Sequence, residues 1–284
     1  MYRKNKRKII LARNIGFCSG VSRAVALSEK LAKEYEIVYT LDEILHNESE
    51  MARLKKRGIR IVSKNSKGKA VLLPAHGASK DEINKLKIDF ENVVDATCPL
   101  VLRTVRLIHE LVKDGYGIAV VGDKGHRETH VLAETAEDNL IGIFESWEDV
   151  AKDSHYSKLA MISQSTVTED RFFSIAEILV RHTYELRIFN TICDETLKRQ
   201  KEATDIAKIA DCIIVIGGKK SANTKRLFEK VEAINPNAFF ISSEKDLESF
   251  DISNCRNIGV TSGTSTPSWL IEKIVSFISK KEGR

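Results

Sequence analysis

Apolar residues run in short blocks along this chain, and amphipathic stretches separate the blocks from one end to the other. Twelve blocks have the length and the Val, Ile and Phe content of strands: KIILA, EIVYT, IRIVS, AVLLPA, NVVDA, GIAVVG, LIGIFE, LAMISQ, LRIFN, CIIVIGG, AFFIS and NIGVTSG. Several end in Gly, Asp or Asn, where strands stop. Helical spacing fills many of the gaps, as over residues 22–35, 102–113 and 172–184. In the second of these, Leu107, Ile108, Leu111 and Val112 fall on one helix face. Strands that alternate with helices predict an α/β protein with parallel, doubly wound sheets. Three cysteines punctuate the pattern. Cys18, Cys98 and Cys193 each follow a strand and precede a helix, at similar intervals, which suggests three α/β units of similar size.

Composition narrows the class without changing it. The 284 residues carry a net charge of +5, with both signs interspersed, as in SEKLAKEYE and LKRQKEATDIAK. Such stretches read as solvated helix faces, so no nucleic-acid partner is expected. No apolar run approaches the length of a membrane span, so no membrane partner is expected either. The opening MYRKNKRKIILA is basic and then apolar over only about five residues, without a small-residue cleavage site. It reads as a solvated basic tip ahead of the first strand, and the cytoplasm is the expected location. Five cysteines, an odd number without a CxxC pair, argue against a disulfide framework and against a zinc ribbon or thioredoxin-type site. Cys212 opens a buried strand and reads as a core residue, and Cys255 reads as a loop residue without a role.

Chemistry concentrates at strand ends. GFCSGV, LHN, PAHG, DATCPLV, GHRE, SQST and TIC combine turn residues with reactive side chains, and KSANTKR and TSGTSTP resemble anion loops. The carboxyl ends of parallel strands form the ligand crevice of open α/β sheets, and the helix N-termini there favour anions. Three readings of the cysteines stay open on residues alone: three thiolates on a [4Fe–4S] cluster with one iron left without a protein ligand, a three-cysteine zinc site, and three unrelated buried thiols. Of seven histidines, His46, His76 and His126 follow predicted strands and can take a diphosphate with Ser, Thr and Asn groups. His109, His155 and His182 read as surface or structural residues, and His130, four after His126, suggests a metal pair on one helix face, against which Glu128 and the glycine of GHRE suggest a loop. Ser221, Asn223 and Thr224 fit either an N-cap or oxyanion binding, and Ser265 repeats that logic before Pro267. Neither loop is a Walker or GxGxxG motif. A zinc hydrolase with Glu128 as base lacks the second cysteine of a PCxxC motif. A non-catalytic iron–sulfur sensor lacks a helix-turn-helix signature.

In order and spacing, GFCSGV, HN, AHG, DATCPLV, GHRE, SQST, TICDETLKRQ, SANTKRL and TSGTSTP resemble the LytB/IspH family over about Ile9 to Ile278. These are the iron–sulfur 4-hydroxy-3-methylbut-2-enyl diphosphate reductases, which close the non-mevalonate isoprenoid pathway. The resemblance implies three pseudo-symmetric α/β units in a cloverleaf around a central [4Fe–4S] cluster. The units would span 19–97, 98–192, and 193–284 together with 1–18. Cys18, Cys98 and Cys193 match the cluster ligands, leaving one iron open to substrate. His46, His76, His126, Ser221, Asn223 and Ser265 match the diphosphate-binding groups, and Glu128 matches the proton donor. Ser165 stands where a threonine is usual, and its hydroxyl can still relay a proton to Glu128. Arg127 replaces a common proline, which alters the stiffness of its loop, and Ala222 replaces a serine found in some members. The implied partners are an allylic diphosphate substrate and an electron donor such as ferredoxin or flavodoxin with its reductase.

Overall fold

A computed structural model describes residues 7–150 and 155–280. The basic tip, residues 1–6, lies outside the described residues. The chain starts with β1 (Lys8–Leu11), α1 (Ser19–Glu34), β2 (Val38–Thr40) and α2 (Glu48–Lys56). β3 (Ile59–Ile61), β4 (Gly68–Leu73), α3 (Lys80–Asp89) and β5 (Phe90–Asp95) follow. Next come α4 (Pro99–Lys113), β6 (Gly117–Val121), α5 (Arg127–Ala136) and β7 (Leu140–Phe144). β8 (Tyr156–Ser163), α6 (Glu169–Arg181), β9 (Thr183–Ile188) and α7 (Asp194–Ala207) continue the alternation. The last elements are β10 (Cys212–Ile216), α8 (Ala222–Glu232), β11 (Ala238–Ile241), α9 (Glu244–Glu248), β12 (Asn257–Ser262) and α10 (Ser268–Lys280). Each of the twelve predicted strands is present.

The strands form three parallel four-stranded sheets, in the orders β1-β12-β10-β11, β3-β2-β4-β5 and β7-β6-β8-β9. The last two share one plan, in which the second strand lies outside the first and the third and fourth follow on the other side. The remaining sheet has the same plan when it is started at β10, with β1 as its fourth strand. The protein is therefore an α/β molecule with three pseudo-symmetric sheets, one of them closed by the strand nearest the N-terminus.

The chain divides into two compact units. One contains 7–29, 43–58 and 194–280 of the described residues and holds the β1-β12-β10-β11 sheet. The other contains Lys30–Asp42 and Ile59–Cys193 and holds the other two sheets. In the first unit every residue of β10 is buried, because the strand is covered on both faces. On one face pack Leu270, Ile271, Ile274 and Ile278, at helical spacing on α10. On the other pack Ala203, Ile206 and Ala207 of α7 with Leu227 and Val231 of α8. Two-sided burial explains why this strand is a continuous apolar run rather than an alternating one. Each Leu, Ile or Val among these contributes roughly 1.5–3 kcal/mol when it leaves water, and each Ala less. In the second unit, Ile108 and Leu111 of α4 and Leu132 and Ala136 of α5 cover β6 and β8, while Leu86 of α3 covers β4.

Two sequence expectations change. The helix expected over 172–184 ends at Arg181, and Tyr184 is exposed in β9. GHRE is not a loop, because α5 begins at Arg127 with His126 as its N-cap, and the His126 ring accepts from the Glu128 N–H at 3.2 Å. Cys255 lies outside the helices and strands, as expected, and is buried in the same core as Cys212.

Candidate functional site

In a parallel sheet ordered second–first–third–fourth, the chain leaves the first and third strands in opposite directions. A crevice opens between their carboxyl ends, which is where such sheets take ligands. The candidate residues follow this rule sheet by sheet. After the first strands β2, β6 and β10 come His46, His126 and Ser221 with Asn223. After the third strands β4, β8 and β12 come His76, Ser165 and Ser265. After the fourth strands β5, β9 and β1 come Cys98, Cys193 and Cys18. The ends of the second strands, β3, β7 and β11, carry none of them.

All three cysteines stand immediately before a helix. Cys98 is the N-cap of α4 with Pro99 at the first helical position, Cys193 precedes Asp194 of α7, and Cys18 precedes Ser19 of α1. Helix N-terminal N–H groups favour a thiolate over a thiol. The Val21 N–H approaches Cys18 Sγ at 3.5 Å. At Cys98, burial pushes the thiol up, and the N–H groups of Leu100 and Val101 pull it partly back down. The charges of Cys193 and Glu128 push it up as well, so the second unit brings these three groups together. The backbone adds to this, with Cys193 N donating to Ser165 O at 2.8 Å and Cys98 N to Ala75 O at 2.9 Å. No disulfide forms among the described residues.

The same unit builds a carboxylate site. Glu128, in the first turn of α5, is only 3% exposed. Its two oxygens accept from Ser165, Oε1 from the backbone N–H at 2.6 Å and Oε2 from the hydroxyl at 2.7 Å. Gln164, fully buried beside it, accepts from Asp123 N and Thr129 Oγ1 and donates to Thr166 Oγ1, which fixes the SQST turn. The rings of His76 and His126 lie edge to face with centroids 5.2 Å apart. Gly77, next to His76, has φ +86°, a left-handed turn that favours glycine. His130, four residues beyond His126, is exposed on α5 and joins neither group.

The first unit builds an anion-loop pair. Ser221 caps α8 by accepting from Thr224 N at 3.2 Å, so its capping role is met. Asn223 Nδ2 donates to Thr264 Oγ1 at 3.2 Å, and Thr264 O accepts from Cys18 N at 3.1 Å. Ser265 Oγ donates to His46 O at 3.3 Å. A Cβ on Gly218 would stand 2.2 Å from that same carbonyl, so only glycine lets the His46 backbone approach the end of β10. The unit thus brings Cys18, His46, Asn223 and Ser265 into one set of linked turns. Their frame includes residues that sequence reasoning missed. Arg199 is buried and donates to Ser262 O at 3.0 Å, while Ser262 Oγ accepts from Gly16 N at 2.9 Å. Its place in TICDETLKRQ, one helix turn or two past Cys193, was the available signal. Arg127 was noticed only as a change in stiffness, yet it pairs with Glu82.

The donor set suits an iron–sulfur group, with three thiols at helix starts, two of them beside backbone N–H donors, together with imidazoles, hydroxyls and amides suited to a diphosphate. Comparison with known proteins agrees. The model of the LytB protein family matches residues 9–279. A 4-hydroxy-3-methylbut-2-enyl diphosphate reductase from Campylobacter hominis is 37% identical, covering 96% of this chain and 98% of that protein. One of the same name from Geobacter sulfurreducens is 34% identical, covering 97% and 100%. A solved (E)-4-hydroxy-3-methyl-but-2-enyl diphosphate reductase, described as the terminal enzyme of the non-mevalonate pathway, matches with TM-score 0.71 at 33% identity, over 96% of this chain and 99% of that one. The Plasmodium falciparum E-1-hydroxy-2-methyl-but-2-enyl-4-diphosphate reductase matches with TM-score 0.83 at 25% identity, over 96% and 88%.

Proposed function

The chain belongs to the LytB protein family, and on that premise we propose that it reduces 4-hydroxy-3-methylbut-2-enyl diphosphate to isopentenyl and dimethylallyl diphosphate, the last step of the non-mevalonate pathway. The reaction consumes two electrons and two protons. The allylic carbon–oxygen bond breaks, one proton leaves with the hydroxyl as water, and the other ends on carbon at either end of the allyl unit. No phosphorus–oxygen bond changes, so the diphosphate serves as a handle.

The observation that carries this reading is the buried Glu128 held by the half-buried Ser165, whose carbonyl accepts from Cys193 N and whose carboxylate partner is close enough to influence the Cys98 thiol. A carboxyl held at two points has a fixed direction for proton delivery, and the Ser165 hydroxyl lies in line to relay a proton to it. Cys18, Cys98 and Cys193 are the residues that would hold a [4Fe–4S] cluster. Such a cluster supplies electrons and Lewis acidity when bound. His46, His76, His126, Ser165, Ser221, Asn223 and Ser265 bind and orient the substrate, with His126 next to Glu128 and so near both its handle and its reacting end. Holding the handle fixes the carbon chain and removes the orientational cost of the step.

Electrons come from an external carrier such as ferredoxin or flavodoxin with its reductase. The units are taken as 19–97, 98–192, and 193–284 with 1–18, and the support for this is that three sheets repeat one strand order. No described helix is long and apolar enough to cross a membrane. Five cysteines outside any disulfide suit a cytoplasmic setting, where thiols stay reduced. Glu128→Gln tests the reading. It keeps the size and one acceptor of the side chain, so the expected result is unchanged iron and sulfide with turnover reduced by about 10²-fold or more. Near-normal turnover would remove Glu128 from the proton path.

A further inference from the structure

Arg127 occupies the first helical position of α5, between His126 and Glu128, and its hydrogen bonds go to other segments. Nη2 donates to both oxygens of Glu82, at 2.9 and 2.8 Å. Nε donates to Gly77 O at 3.2 Å, and Nη1 lies 3.7 Å from Asp42 Oδ2. These anchors sit on three separate segments: the chain after β2, the turn after His76, and the start of α3. All of them lie in the second unit.

We propose that Arg127 is a positioning residue: it ties the turn that carries His76 to the helix start that carries His126 and Glu128, and so sets the spacing of the two imidazoles that take the diphosphate. This inference rests on the reductase reading for the identity of that anion. Three features make the tether directional. The Glu82 carboxylate is already oriented, because Oε2 accepts from Ser79 N at 2.9 Å in a capping box while Ser79 Oγ caps the helix. Gly77 is held in its left-handed turn, its N–H donating to Pro74 O at 3.0 Å, so its carbonyl faces one direction. The guanidinium is planar and has donors on both edges, so a single side chain can serve a carboxylate and a carbonyl at once.

With two carboxylates and a carbonyl around it, and 20% of its side chain exposed, the Arg127 charge is committed to the protein. It therefore acts through His76 and His126 rather than as a ligand of the diphosphate. A lysine at this position presents one compact charge and cannot span the same anchors.

The test compares Arg127→Gln, Arg127→Lys, Glu82→Gln and the double Arg127→Gln/Glu82→Gln protein, each as the cluster-loaded enzyme. Calorimetry gives the Kd for inorganic pyrophosphate, and turnover gives KM and kcat. The tether predicts that Arg127→Gln raises both Kd and KM by about tenfold, with kcat within about threefold and iron unchanged. Glu82→Gln matches it, Arg127→Lys recovers little, and the double variant is no worse than either single one. Wild-type Kd in Arg127→Gln overturns the proposal. So does a Kd raised by Arg127→Gln but not by Glu82→Gln, which would make Arg127 a direct ligand, and so do fully additive losses. If Arg127→Gln fails to fold, Glu82→Gln decides by the same Kd. The pyrophosphate Kd is read without turnover, so a failure of the reductase reading and a failure of this inference appear in different measurements.

Discussion

Cys98 sits under two opposed influences. Burial and neighbouring negative charge favour its neutral thiol, while the N–H groups of Leu100 and Val101 favour the thiolate. A bound cation would tip that balance to the thiolate, as expected of a metal ligand. Serine is nearly isosteric but is a harder and much less acidic ligand. Cys98→Ser should therefore leave the fold intact and lower iron from about four per chain to below about one, with activity lost in parallel. Iron and sulfide analysis of the anaerobically purified variant checks this, and normal iron would count against ligation by Cys98. At this scale the sequence was informative about residue type and poor about environment. Cys212 read correctly as core because it opens a continuous apolar run. Cys255 read correctly as a loop residue, but its burial was not legible, because a turn residue has no periodicity to reveal it. The burial of Glu128 was not legible, since nothing within a few positions of it announces Ser165.

Helix starts carry most of the chemistry, so element boundaries matter more here than element content. The inner strands β4, β6 and β10 were legible because buried parallel strands are unbroken apolar runs, while the largely exposed edge strands β3 and β9 were legible only from their Ile and Leu content. The start of α5 was not, because histidine lies outside the Ser, Thr, Asp and Asn group that usually signals an N-cap. The partners of Arg127 were equally hidden, at positions 42, 77 and 82, far from it in sequence.

One element contact also predicts a pH effect. Glu202 on α7 accepts from Arg13 N at 2.6 Å, Asn14 N at 2.8 Å and Asn14 Nδ2 at 2.9 Å, and so anchors the chain leading to Cys18. Burial pushes its carboxyl up, but those donors outweigh burial and leave it below the usual carboxylate range. A lowered folded pKa means that the stabilisation is present above the unfolded value, about 4.3, and is lost as pH falls through the folded value. Thermal melts should show the midpoint dropping below about pH 4.3, with a shallower drop in Glu202→Gln. At neutral pH that variant should melt roughly 3 °C lower, the shift about 1 kcal/mol produces once solvent screening is allowed for. An unchanged acid slope would show that the Glu202 contacts do not anchor this segment.

For the molecule as a whole, one strand plan used three times explains why so many reactive side chains sit at comparable places. First-strand ends carry His46, His126 and Ser221, third-strand ends carry His76, Ser165 and Ser265, and fourth-strand ends carry the cysteines. The repeat of cysteines was visible in the sequence. The role of β1 as the fourth strand of a sheet built otherwise from the far end of the chain is long-range pairing, which local pattern does not encode. The most direct test is anaerobic turnover of the cluster-loaded protein with the allylic diphosphate and a chemically reduced one-electron carrier. The account predicts loss of substrate with formation of both isopentenyl and dimethylallyl diphosphate, and about two electrons oxidised from the carrier per molecule of product, as the reaction's balance requires. A protein with its iron and sulfide intact that leaves the substrate unreduced would contradict it.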